Sequence, residues 1–86
     1  MYIAVVHHIV DKVQWAAAAL DVMTHLPSGA RPVFYIPSRD LSKAVCVWQT
    51  DSPEAVKKYL EAKTTAFCRN EYYIVDETSS VGLENA

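Results

Sequence analysis

Apolar positions along the chain form four short runs and two longer stretches with helical spacing. Runs rich in β-branched and aromatic residues, bounded by turn residues, predict strands. Apolar residues that recur every three or four positions predict the buried stripe of a helix. The predicted strands are residues 2–10, 31–36, 43–49 and 72–78. The predicted helices begin near Val13 and near Pro53, so the order is strand, helix, strand, strand, helix, strand.

The first predicted helix has a defined start and end. Asp11 is the predicted N-cap, since a side-chain oxygen there accepts a backbone N–H of the first turn. Gly29 predicts the end of the helix, because glycine readily takes the left-handed conformation that follows many helices. The predicted buried face consists of Ala16, Ala19, Leu20, Met23 and Leu26. Three further apolar residues widen this face to one side, namely Trp15, Ala18 and Val22.

The second predicted helix begins within the sequence Asp51-Ser52-Pro53-Glu54. With Ser52 as the N-cap, Pro53 takes the first helical position, where its missing N–H costs nothing. With Asp51 as the N-cap, Glu54 instead has the spacing of a capping box. The sequence leaves both alternatives open and predicts that the helix weakens at residues 64–65. The predicted buried stripe is Val56, Tyr59, Leu60 and Phe67.

The order of the six segments matches a split β-α-β unit, which is the ferredoxin-like plan of the α+β class. A short polar turn at residues 37–40 joins the second and third strands, and this predicts an antiparallel hairpin. We therefore expect a βαββαβ sandwich, in which a four-stranded antiparallel sheet carries two helices on one face. The predicted domain covers residues 1–78, and residues 79–86 are expected to form a tail or an arm.

The first predicted strand is apolar on both faces, with His7 and His8 interrupting the run. One face can meet the helices, but the other needs a second cover that a two-layer domain lacks. A chain of this size buries only a little over about 60% of its unfolded surface. Hydrophobic residues nevertheless make up 51% of the 86 residues. We expect a homodimer in which two copies of the sheet pack face to face.

Charge and hydropathy narrow the classes of partner. The formal net charge is −2, so we expect no basic surface for nucleic acid. No apolar run approaches the roughly 20 residues of a membrane span, and we expect no signal peptide. Cys68 falls in the predicted turn region between the second helix and the fourth strand. Cys46 and Cys68 are expected to be free thiols in a reducing compartment. Together these features predict a cytoplasmic protein without a nucleic-acid or membrane partner.

His7 and His8 are the strongest candidates for chemistry. Neighbouring residues of a strand point to opposite faces, so one histidine faces the helices and the other faces the open side of the sheet. Either can act as a base or a metal ligand, or simply bond to the backbone at the strand end. Tyr35 is a further catalytic candidate. No zinc-site spacing occurs, so a metal site would combine His7 or His8 with Cys46 and carboxylates from elsewhere.

Aromatic residues concentrate on the predicted strands. A sheet that carries Trp and Tyr beside a histidine often lines an apolar pocket for a small organic ligand. Rings at such positions also serve as core and interface filler. The predicted ligand-binding residues are Trp48, Tyr72 and Tyr73. We expect a small apolar or aromatic ligand, and the sequence does not specify a cofactor.

Residues 44–56, with the sequence Ala-Val-Cys-Val-Trp-Gln-Thr-Asp-Ser-Pro-Glu-Ala-Val, resemble the dimeric α+β barrel superfamily. Its small members are ferredoxin-like domains. Within it, this stretch is similar to a small subgroup of uncharacterised or nickel-binding-type proteins with a Cys-containing third strand and an acidic or Ser-Pro helix start. The resemblance implies a barrel formed by two sheets across a dimer, with His7 serving a ligand or a metal. The chain departs from the subgroup at Tyr35 and at Tyr59 or Leu60, where histidines are expected.

Three functions remain open from the sequence. The leading expectation is a dimer that binds a small molecule or a metal in the cleft between its sheets. The second is a cofactor-free enzyme of the isomerase, cyclase or monooxygenase type, which would use a strand histidine as base and a tyrosine hydroxyl as donor. The third is a structural or regulatory interaction module. The fold alone does not choose among them.

Overall fold

The computed structural model describes residues 1–83, so the last three residues of the predicted tail, 84–86, lie outside the described residues. The described chain has the predicted order of elements. Its strands are β1 (Tyr2–Ile9), β2 (Ala30–Pro37), β3 (Lys43–Thr50) and β4 (Cys68–Ile74). Its helices are α1 (Lys12–Thr24) and α2 (Pro53–Thr64).

The strands form one antiparallel sheet in the order β2-β3-β1-β4. This strand order, with two helices on one face, confirms the predicted ferredoxin-like α+β fold. The predicted hairpin is the β2–β3 pair, in which Tyr35 lies opposite Cys46. The two apolar central strands, β1 and β3, are direct neighbours, so the middle of the sheet is its most hydrophobic part.

Alternate residues of β1 serve different faces of the sheet. Ile3, Val5 and His7 are buried on the face covered by the helices. Tyr2, Val6 and His8 share the other face, which neither helix covers. The main core cluster joins the helix-side residues of β1 and β3 to both helices, and it comprises Ile3, Val5, Val22, Trp48, Val56 and Leu60.

The buried face of α1 differs from the predicted one. Val22 is only 6% exposed, whereas Leu20 is 72% exposed, and Met23 and Leu26 are exposed as well. The residues that face the sheet are Trp15, Ala18, Ala19 and Val22. Both sets have helical spacing because α1 is apolar on almost every side. Trp15 decides the rotation, since its large ring packs in a second buried cluster with Ala44, Phe67 and Cys68.

The helix starts follow the sequence closely. The Asp11 side chain accepts the backbone N–H of Gln14 at 3.0 Å, which confirms the predicted N-cap of α1. Ser52 caps α2 by accepting the N–H of Ala55, and Pro53 follows at the first helical position. The alternative with Asp51 as the cap is therefore wrong. Gly29 adopts φ +75°, the left-handed conformation predicted for it, but it does not end the helix: α1 already ends at Thr24 with His25 as its C-cap, and Gly29 lies in the turn before β2.

The fourth strand lies four residues earlier than predicted. β4 begins at Cys68, which was expected in a turn, and it ends at Ile74. Residues 68–71 are mostly polar, so their hydrophobic pattern carries no strand signal. They are part of the sheet because their backbone pairs with β1, in a register that sets His7 opposite Asn70. The pairing of this segment with β1 therefore determines its strand conformation, even though its local hydrophobic pattern does not predict a strand.

The strand β2 is irregular near its start. Pro32 lies opposite Trp48 and Phe34 lies opposite Val47, so Val33 is an extra residue that forms a β-bulge. A second proline, Pro37, ends the strand. No helix within residues 1–83 combines the length and hydropathy needed to cross a membrane.

Candidate functional site

A cavity of about 110 Å³ lies between α1 and the sheet. Aromatic rings form much of its wall, with Trp15 from α1, Tyr35 from β2 and Trp48 from β3. Its mouth is near Met23 and Tyr35, because both line the cavity and both are exposed. The cavity therefore opens between α1 and β2 and extends inward to the buried centre of the sheet.

His7 is the polar ring at the inner end of this cavity. It is 1% exposed, and its ring centroid lies 4.6 Å from that of Trp15. Burial lowers the pKa of His7, because the low-dielectric surroundings disfavour the charged imidazolium. A neutral imidazole at pH 7 has one N–H donor and one lone-pair acceptor.

A hydrogen-bond network holds His7 from the β4 side. His7 Nδ1 lies 2.5 Å from Asn70 Oδ1. Asn70 Nδ2 donates to Glu61 Oε2 at 3.0 Å and to Thr64 Oγ1 at 2.9 Å, so the amide is tied to α2. The Cys68 thiol also donates to Asn70 Oδ1, at 3.2 Å. The other ring nitrogen, Nε2, is buried and has no partner among residues 1–83.

Several predicted site residues meet at this cavity, and others do not. His7, Tyr35, Cys46 and Trp48 all line it. His8 points to the opposite face, where its Nε2 lies 2.6 Å from Glu71 Oε1. The two histidines thus occupy different faces, as predicted, and the helix-side one is His7.

The three predicted ligand-binding rings do not share one site. Trp48 lines the cavity. Tyr72 lies on the same face of the sheet but packs beside the main core cluster, under Lys57 Nζ at 5.4 Å from the ring centroid. Tyr73 is 59% exposed on the open face. A cluster of Trp48, Tyr72 and Tyr73 would require both faces of the sheet at once.

The metal candidates His7 and Cys46 both line the cavity. Burial raises the pKa of the Cys46 thiol to about 12, which keeps it protonated at neutral pH. Metals bind the thiolate, so this thiol is a poor ligand in its present surroundings. Among residues 1–83, no group of three or more His, Cys, Asp or Glu side chains is arranged to hold a metal ion.

Two residues of the site, Asn70 and Trp15, lie where the sequence pattern does not predict them. Asn70 lies in the segment that was expected to be a turn, so its position opposite His7 was not foreseen. Trp15 was placed on the flank of α1 rather than at its buried centre. The available signal for Trp15 was its size, because the largest apolar side chain of a helix usually faces the core.

The fold and the cavity define a ferredoxin-like α+β protein with an aromatic, histidine-containing pocket on its helix side. No protein-family model, curated protein or solved structure matches the chain. The subgroup resemblance of residues 44–56 therefore rests on the sequence alone. Because one fold hosts many functions, the function has to be argued from the cavity.

Proposed function

We propose that the chain binds a small apolar molecule in the cavity between α1 and the sheet. One observation carries the proposal: a cavity of about 110 Å³ opens near Met23 and Tyr35, and its accessible wall is almost entirely apolar. A ligand that fills this space removes apolar surface from water.

The composition of the wall supports an organic ligand. Ligand sites are concave and mostly apolar, with a few polar groups that fix orientation. Trp15, Trp48 and Tyr35 supply flat apolar surfaces, and His7 adds an uncharged ring to the wall. The proposed site thus lies on the helix side of the sheet rather than in a cleft between two sheets.

Titration with toluene and phenol, followed by the two tryptophan indole N–H signals in ¹H–¹⁵N spectra, tests the proposal. Trp15 and Trp48 both line the cavity, so binding should shift both signals. Ala19→Phe places a ring in the cavity from α1 and should abolish binding. Ala17→Phe, at an exposed position of the same helix, should bind like the parent chain. Equal binding by the two variants, or no binding by the parent chain, contradicts the proposal.

We also propose that two copies of the chain associate through the open face of the sheet, as in the dimeric α+β barrel superfamily that the sequence resembles. This face carries apolar side chains, with Ile36 61% exposed and Tyr73 59% exposed. Val45 and Val47 of β3 lie between them and are only half-buried. Covering these side chains with a second sheet removes apolar surface from water.

Light scattering after size exclusion tests this association. The expected mass is twice the 9.6 kDa of one chain. Ile36→Glu should shift the protein to the monomer mass, because it places a charge in the proposed interface. Val13→Glu, at an exposed apolar position of α1, is the matched control and should leave the dimer intact. A monomeric parent chain at micromolar concentration contradicts the association.

A second candidate function is proton transfer, and the pairing of His7 with Asn70 favours it. An uncharged imidazole with a free ring nitrogen can act as a base toward a molecule bound beside it. Tyr35 lines the same cavity and accepts a hydrogen bond from Trp15 Nε1 at 3.1 Å.

The free thiols of Cys46 and Cys68 support a reducing compartment, for which we propose the cytoplasm.

A further inference from the structure

The cavity between α1 and the sheet has a buried end and an exposed end. The two exposed residues of its lining are Met23 of α1 and Tyr35 of β2. The buried residues of its lining come from β1, β3 and both helices, and they are His7, Trp15, Val22, Trp48, Leu60 and Thr64. A ligand that enters between Met23 and Tyr35 therefore reaches the buried residues last.

The polar groups at the buried end are bonded to other groups or covered by neighbouring atoms. His7 Nδ1 donates to Asn70 Oδ1, because the Asn70 amide already uses Nδ2 as a donor toward α2. Thr64 Oγ1 donates to the carbonyl of Leu60 at 2.7 Å and accepts from Asn70 Nδ2 at 2.9 Å. His7 Nε2 and Trp48 Nε1 are buried and add no polar surface to the wall. The accessible wall is therefore almost entirely apolar.

Charge and size restrict what can fill this space. Among the described residues that line the cavity, none is Asp, Glu, Lys or Arg. A hydroxyl or a charged group at the buried end would lose its hydration without gaining a partner. A dry cavity of about 150 Å³ accepts benzene, so a space of about 110 Å³ takes one ring or a short chain. The remainder of a larger ligand lies at the mouth, in contact with water.

We propose that the ligand is an amphipathic molecule that inserts an apolar end, one ring or a short aliphatic chain, and keeps its polar group at the mouth between Met23 and Tyr35. This inference rests on the proposed binding function, and it adds the class of the ligand and the end that enters first. A molecule with a polar group at each end does not fit, because one of the two groups would have to reach the buried end.

Hexan-1-ol and hexane-1,6-diol test the orientation, since they share a chain and differ in one terminal hydroxyl. The indole N–H signals of Trp15 and Trp48 in ¹H–¹⁵N spectra report the affinity of each, with toluene as the apolar reference. Hexan-1-ol can leave its single hydroxyl in water, whereas the diol has to bury one. A buried hydroxyl without a partner weakens binding by roughly 5- to 150-fold. We therefore expect the diol to bind at least about fivefold more weakly than hexan-1-ol.

The outcomes separate this inference from the proposed function. If neither toluene nor hexan-1-ol binds, the cavity is not a binding site, and both proposals are wrong. If toluene binds and hexan-1-ol does not, or if the diol binds as tightly as hexan-1-ol, the cavity binds apolar molecules but the proposed ligand class is wrong.

A charge placed at the mouth tests where the polar group lies. Met23 is 54% exposed, so Met23→Lys adds a cation there without disturbing the core. Hexanoate should gain an ion pair with this lysine at neutral pH, while hexan-1-ol gains none. An exposed ion pair strengthens binding by roughly 1.4- to 5-fold. We expect the affinity of hexanoate relative to that of hexan-1-ol to rise about threefold.

Thr24→Lys is the matched control, because Thr24 is the next residue of α1, is exposed and does not line the cavity. It adds the same charge to the protein and should leave the affinity ratio of the parent chain unchanged. An equal rise in the two variants would show a general effect of net charge. That result, or an unchanged ratio in Met23→Lys, would overturn the proposed orientation.

Discussion

His7 and Asn70 lie opposite each other on β1 and β4, and their side chains share a hydrogen bond of 2.5 Å inside the protein. The pair links the cavity wall to α2, because Asn70 also donates to Glu61 and Thr64. One amide thus satisfies several partly buried polar groups that come from three elements. Such groups are costly to leave without partners.

We expect Asn70→Ala to lower the free energy of unfolding by about 2 kcal/mol, since it leaves the His7 Nδ1–H and the Cys68 thiol without their acceptor. Urea denaturation measures the loss. Arg69→Ala is the matched control on the same strand, and its exposed ion pair with Glu71 should contribute no more than about 0.5 kcal/mol. If the two variants are equally stable, the network does not stabilise the fold.

We expect the stability of the protein to fall as the pH drops below 6.5. Burial lowers the pKa of His7 in the folded state, while the unfolded state protonates with the ordinary value of 6.5. The unfolded chain therefore takes up the proton first, and acid favours unfolding. The slope contributed by one proton is at most about 1.4 kcal/mol per pH unit. Urea denaturation at intervals from pH 7.5 to pH 5 measures it.

His7→Gln is the control for this dependence, because it keeps an amide donor near Asn70 and removes the titrating group. Its stability should change less than that of the parent chain over the same pH interval. The carboxylates of Asp40 and Glu71, whose pKa values are lowered by hydrogen bonds, titrate at lower pH and do not interfere. Identical slopes for the two proteins would show that His7 is not buried in its neutral form.

The element order was predictable because strands and helices differ in the spacing of their apolar residues. Asp11 and Ser52 marked the helix starts through local chemistry that needs no tertiary contact. The start of β4 was not predictable, because Arg69 and Asn70 form a strand only through their pairing with β1. The local sequence pattern therefore predicts features that depend on neighbouring residues, such as helix starts. It does not predict a strand that forms only by pairing with a distant segment.

The rotation of α1 can be tested with a matched pair of substitutions. Val22→Ala, at a position 6% exposed in the main core cluster, should lower the free energy of unfolding by about 1–2 kcal/mol. Leu20→Ala removes a larger side chain, but that side chain is 72% exposed, so we expect a change within about 0.5 kcal/mol. Thermal or urea unfolding measures both. A larger loss for Leu20→Ala than for Val22→Ala would instead show that Leu20 faces the core, as the spacing alone predicts.

Substitutions at the N-terminus of α2 distinguish the two helix starts that the sequence leaves open. Ser52→Ala removes the acceptor for the Ala55 N–H and should lower the free energy of unfolding by about 1 kcal/mol. Asp51→Ala should cost less, since Asp51 lies outside the cap. Helical content and urea midpoints of the two variants measure the difference. A larger loss for Asp51→Ala would instead favour the capping box with Glu54.

The candidate site was predictable only in part. His7, Cys46 and Trp48 were predicted as site residues because their side chains can act as a base, a metal ligand or an aromatic wall for a ligand. Their assembly into one cavity depends on Trp15, whose position follows from the rotation of α1. It also depends on Asn70, which reaches His7 across 63 positions of the chain. The sequence around either residue gives no indication of a contact between positions so far apart in the chain.

The irregular strand β2 has a consequence for how the protein behaves when concentrated. Pro32 and Pro37 remove two backbone donors from this outer strand, and the bulge at Val33 disrupts its regular pattern. Natural sheets use such features to prevent a foreign strand from adding to an exposed border. The opposite border, β4, carries the charged residues Arg69 and Glu71. The bulge and the two prolines therefore make the β2 border a poor template for a foreign strand, whereas on β4 the charges cover only the first half and Tyr73 and Ile74 stay exposed. We expect any strand addition at high concentration to occur at the β4 border.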